Sequence, residues 1–138
     1  MNAVIEARTS REVVAQLREF FRFPQPIADV TWGRGRFWSS EEREVIGLDR
    51  FAPDAPIVAD WGHLPLRDRS VGTLIYDPPF LPPPGPNSNW LARGYGAGQA
   101  EWSVTDGFDQ RPHLCFFGEA LRVLRSDGLL IVKSGDMI

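Results

Sequence analysis

Thr73-Leu-Ile-Tyr-Asp77-Pro78-Pro79-Phe80 gathers the residue types best suited to chemistry in this chain. An apolar run leads into a carboxylate, two prolines and an aromatic ring, which reads as a buried strand with Asp77 at its end. Proline has a fixed φ and no N–H, so Pro78 and Pro79 stop the ladder and stiffen the backbone beyond it. A carboxylate, a bare carbonyl and an aromatic face are then held rigidly at one strand end. A planar ring bearing an amino group suits such a place. Asp77 and the Pro78 carbonyl can accept the two amine hydrogens while Phe80 stacks on the ring. The alternative is a strand-end turn in which Asp77 only caps and the prolines only terminate.

The elements that must position this segment follow from the pattern of the chain. Thr9-Ser-Arg-Glu12 offers a capping box, and Val13, Val14, Leu17, Phe20 and Phe21 share a helical face, which predicts an N-terminal helix within residues 1–23. Pro24 and Pro26 then force an extended linker. Ile27–Trp32 is a short strand running into Gly33-Arg34-Gly35-Arg36, where backbone can approach a ligand closely or simply turn. Glu44–Leu48 is a second strand ending on Asp49, Pro56–Ala59 a third ending on Asp60-Trp61, and Leu74–Tyr76 a fourth ending on Asp77. Each has an aspartate near one end, three of them at the C-terminal end, the edge at which open α/β sheets bind ligands. Between Asp49 and Pro56 there is no room for a crossover helix, so a bare loop is expected there.

Residues 81–110 show no apolar periodicity. Pro82, Pro83, Pro84 and Pro86 are followed there by Gly94, Gly96, Gly98 and Gly107, with Trp90, Tyr95, Trp102 and Phe108 among them. A stretch of this kind is either a surface insertion or a long loop on the substrate side, and its aromatics favour the latter. Pro112 suits the first turn of a helix with Leu114, Phe117, Leu121 and Leu124 turned inward, and Ser126-Asp127-Gly128 ends it. Leu129–Val132 is a fifth strand, followed by Lys133. His113 and Cys115 read as residues without chemistry, whereas His63 falls in a polar loop beside the presumed ligand edge.

The chain of 138 residues suits one domain. One cysteine and two histidines rule out a disulfide framework and argue against a metal site. With a net charge of −3, contact with a nucleic acid must come from local patches. No apolar run reaches membrane-spanning length and no signal-peptide core is visible, so a cytoplasmic chain without a membrane partner is expected.

Taken together, the glycine loop, Asp49, Asp60-Trp61 and Asp77-Pro78-Pro79-Phe80 resemble, in order and spacing, an S-adenosylmethionine-dependent methyltransferase. The likeness covers roughly residues 24–136 and is closest to the DNA amino-methyltransferases that modify adenine N6 or cytosine N4. Asp29-Val-Thr31-Trp-Gly33-Arg-Gly35 is similar to their cofactor loop. Asp77-Pro78-Pro79-Phe80 is similar to their catalytic motif, with Asp at its first position leaning toward adenine N6. The resemblance implies an α/β, Rossmann-like methyltransferase fold whose mostly parallel sheet of about five strands has the order 3-2-1-4-5. It implies that Asp29, Thr31, Gly33 and Gly35 surround the methionine end of S-adenosylmethionine. Asp49 would hold the ribose, Asp60 would accept from the adenine amino group with Trp61 nearby, and Asp77, Pro78, Pro79 and Phe80 would carry the chemistry. DNA is the implied partner, with RNA base methylation or a non-catalytic cofactor-binding remnant as alternatives. The family continues with further helices, two more strands and a target-recognition domain. The expectation is therefore a fragment that relies on a partner chain or a missing C-terminal segment, associates through its fifth strand and methylates DNA little or not at all.

Overall fold

The computed structural model describes residues 7–38, 44–50, 52, 54–78 and 111–133. Pro79, Phe80 and the expected loop at 81–110 lie outside the described residues. Helix α1 (Ser10–Phe20) starts as its sequence requires: the Thr9 side chain accepts from the Glu12 N–H, and Glu12 reaches back to the Arg8 N–H, 2.7 Å. Its inward face is narrower than the periodicity predicts. Val14 is buried and Leu17 packs beside it, but Phe20 and Phe21 are exposed because the helix stops at Phe20, and Phe23 is buried in the linker instead.

Five strands follow: β1 (Ile27–Asp29), β2 (Val45–Asp49), β3 (Ile57–Val58), β4 (Val71–Tyr76) and β5 (Leu124–Val132). They form one all-parallel sheet in the order β3-β2-β1-β4-β5. The fold class is thus α/β with a Rossmann-like strand order, and the chain between β2 and β3 crosses over without a helix among its described residues. Alternate strand residues feed two cores, as a sheet covered on both faces demands. Ile27, Ile75, Leu129 and Ile131 pack with Val14, Phe23, Phe37 and Trp38 on the α1 side. Ala28, Leu48, Leu74, Tyr76 and Leu130 pack with Phe116, Ala120 and Val123 of helix α2 (Arg111–Val123) on the other.

Helix α2 corrects one expectation. Two stripes of the sequence fit helical spacing, and the structure buries Phe116, Ala120 and Val123, leaving Leu114, Phe117 and Leu121 exposed. Polar tethers set the rotation. Glu119 accepts from the Leu64 N–H at 2.7 Å, and Arg122 donates to the Leu64 and Leu66 carbonyls at 3.0 and 2.8 Å and to Asp68 at 2.7 Å. Both side chains must face the 64–68 loop, and the Leu114–Phe117–Leu121 stripe is thereby turned out. The end of the helix also differs. Leu124 already pairs with Val71 in β5, and the chain bulges before Leu129 pairs with Thr73, so Ser126-Asp127-Gly128 lies within the strand rather than between helix and strand.

Candidate active site at the C-terminal edge of the sheet

β1 ends at Asp29 rather than at Trp32, so Asp29, Asp49, Asp60 and Asp77 all fall at or just beyond the C-terminal ends of parallel strands. The sheet order reverses between β1 and β4, and the segments leaving those two strands are joined there. The Asp77 N–H donates to the Thr31 hydroxyl at 2.8 Å. That hydroxyl lies 3.3 Å from Asp29 Oδ1, which also accepts the Thr31 N–H at 3.0 Å. Asp29 Oδ2 accepts the Trp38 indole N–H at 2.8 Å. Asp29 is wholly enclosed, 0 % exposed. Burial pushes its carboxyl up to about 6; the bonds from Trp38 and Thr31 hold it down, and the charge of Asp77 adds to the rise.

Asp77 is less enclosed. Its side chain is 13 % exposed, and its Oδ2 is paired with Lys133 Nζ at 3.0 Å. Burial raises its carboxyl above the ordinary value, against the opposing pull of Lys133. Pro78 is buried beside it. Tyr76, the last residue of β4, turns to the α2 side, stacked on Phe116 with ring centroids 3.7 Å apart. Lys133 was not legible as a site residue, yet a signal exists. Tyr76 and Val132 are register partners, so the residues following them, Asp77 and Lys133, come out side by side.

The glycine loop is built as its composition allows. Gly33 and Gly35 have φ of 53° and 64°, backbone that side chains rarely adopt. The Gly33 N–H donates to Asp49 Oδ2 at 2.8 Å, and Asp49 Oδ1 accepts the Ala52 N–H at 2.9 Å, so Asp49 ties the loop to the end of β2. The Trp32 indole lies over the backbone of Gly47. A Cβ there would come within 2.5 Å of the ring, so only glycine admits this packing. Asp60 stands further along the edge, its Oδ1 accepting the Gly62 N–H at 2.8 Å and its Oδ2 paired with Arg50 at 3.1 Å.

The structure therefore brings Asp29, Thr31 and Asp77 into one bonded group, which Trp38 and Lys133 join, while Gly33 and Asp49 form a second pair at the end of β2. Trp61 instead turns into the α2-side core, edge-on to Tyr76 at 5.3 Å. His63 is exposed and lies near Glu119. Among the described residues no group of His, Cys, Asp and Glu side chains is arranged to hold a metal, and no helix is long and apolar enough to cross a membrane. No protein-family model matches the chain, and no curated protein or solved structure matches it.

Proposed function

We propose that this chain binds S-adenosylmethionine and directs its methyl group to an exocyclic amino group of a nucleic-acid base, adenine N6 in DNA being favoured. The observation that carries this reading is the 2.8 Å bond from the Asp77 N–H to the Thr31 hydroxyl. It joins the glycine-loop side of the strand-order reversal to the Asp-Pro side, and ligand crevices of open α/β sheets lie at that reversal.

The residues present fit the cofactor. The positive-φ glycines let backbone approach it without an intervening Cβ. Each Asp49 oxygen accepts one backbone N–H, and carboxylate oxygens can accept more, so Asp49 can take ribose hydroxyls as well. Asp60 would receive the adenine amino group. A rim of carboxylates favours a cationic sulfonium. When bound, S-adenosylmethionine supplies an electrophilic methyl group.

The contribution of the chain to the reaction is positional. Asp77 and the Pro78 carbonyl accept the amine hydrogens, aim the nitrogen lone pair and stabilise the positive charge that grows on nitrogen. A base in duplex DNA must leave the stack to reach Asp77, and Phe80 is the stacking partner the sequence offers. At a net charge of −3 nothing general attracts DNA, so affinity for it is weak and rests on local contacts.

A single-turnover assay with protein in excess, methyl-labelled S-adenosylmethionine and unmethylated DNA or structured RNA tests this. Label recovered as N6-methyladenine in DNA, at a low level, is the expected result. Label in RNA alone would move the substrate class. Bound cofactor with label in neither would leave a cofactor-binding remnant that works through a partner chain.

A further inference from the structure

We propose that Lys133 is a positioning residue for Asp77: it pins one carboxylate oxygen so that the other is presented to the amino group of the substrate. This rests on the functional reading above and adds a residue to it. Three elements hold the Lys133 ammonium. Nζ lies 3.0 Å from Asp77 Oδ2, beyond β4, and 5.7 Å from the centre of the Phe37 ring, in the loop after β1. The Ser10 hydroxyl, in the first turn of α1, is 3.5 Å away. The backbone carries the same register, since the Lys133 N–H donates to the Tyr76 carbonyl at 3.0 Å.

Asp77 is thus fixed at two points, its N–H by Thr31 and its Oδ2 by Lys133, and among the described residues no donor sits on Oδ1. A carboxylate with one oxygen tethered presents the other in a set direction, which is what an amine acceptor needs before substrate arrives. Charge argues the same way. Asp77 is largely enclosed, which opposes its ionisation, with Asp29 of β1 nearby; Lys133 from the end of β5 is the cation that favours it. An acceptor for N–H groups must be ionised to work fully, so Lys133 both aims Asp77 and favours its charged form.

The test follows the Asp77 carboxyl by ¹³C NMR through a pH titration in the full chain, in Lys133→Met and in Lys133→Arg, with S-adenosylmethionine binding by dialysis alongside. In Lys133→Met the Asp77 titration should move up by about one pH unit or more, as expected for loss of an adjacent opposite charge. The acid limb of the single-turnover rate should move with it. Lys133→Arg should restore both, and cofactor affinity should stay within about threefold of the parent, because the tether acts on the nucleophile side. An unmoved Asp77 titration in folded Lys133→Met overturns the inference whatever the activity. A shifted titration with an unmoved acid limb also overturns it, since Lys133 would then matter to Asp77 but not to transfer. A parent chain that neither binds S-adenosylmethionine nor transfers label overturns the functional reading beneath it.

Discussion

Asp29 is the most consequential charge in the fold, and its pH dependence can be worked out from its surroundings. Burial lifts its carboxyl from 3.8 to about 6. A group whose folded-state pKa is raised binds its proton more tightly when folded. Its contribution is fully present below the unfolded value and is lost as pH rises through the folded one. The window therefore runs from about pH 4 to just above pH 6. The span from 3.8 to about 6 corresponds to about 3 kcal/mol. Asp29→Asn is neutral at every pH and lacks this term, although its NH2 group replaces one acceptor for Trp38 or Thr31. The stability of the parent minus that of Asp29→Asn should accordingly fall by about 3 kcal/mol between pH 3 and pH 7. Urea unfolding of both proteins across that range measures it, with the difference cancelling carboxylates common to both. A difference flat to within about 0.5 kcal/mol, less than a fifth of what linkage requires, would show that Asp29 titrates like a solvated carboxylate and that its enclosure is wrong.

Two further substitutions probe the same group, and a third probes the packing of Trp32 on β2. Trp38→Phe removes the 2.8 Å indole bond to Asp29 and leaves a buried oxygen unsatisfied, so urea unfolding should show a loss of about 2–3 kcal/mol. Thr31→Val keeps the shape but deletes the bridge between Asp29 and Asp77. It should cost about 1–3 kcal/mol and speed hydrogen exchange at the Asp77 amide, with Thr31→Ser restoring protection. Gly47→Ala drives a methyl group into the Trp32 indole. The expected loss is about 1–3 kcal/mol, seen in unfolding experiments and largely relieved in the Trp32→Ala background.

The sheet was legible because its cues are local. Apolar runs ending in Asp49, Asp60 and Asp77, with those at Ile27–Trp32 and Leu129–Val132, mark the five strands, whereas their order came from the family resemblance and not from these cues. Rotation of α2 was not legible. Leu114-Phe117-Leu121 and Phe116-Ala120-Val123 are both valid stripes, and the choice rests on Glu119 and Arg122 meeting a loop more than fifty residues away. The cap at Thr9 was readable, whereas the exposure of Phe20 and Phe21 follows from where the linker leaves the helix. Within the site, the carboxylates could be found from strand ends. Their partners could not: Trp38 on Asp29 and Lys133 on Asp77 come from loop closure and from strand register respectively. The enclosure of Asp29 and the turning of Trp61 into the core likewise depend on packing across elements.

Calorimetric titration of S-adenosylmethionine into the parent, Asp49→Ala and Asp77→Ala proteins tests the central claim most directly. The account predicts saturable binding by the parent and a loss of about 1.5–3 kcal/mol in Asp49→Ala, for charge-assisted hydrogen bonds to the ribose. Asp77→Ala should lie within about 0.5 kcal/mol of the parent, because Asp77 acts on the nucleophile rather than on the cofactor. No binding by the folded parent, or equal losses in the two variants, would contradict it.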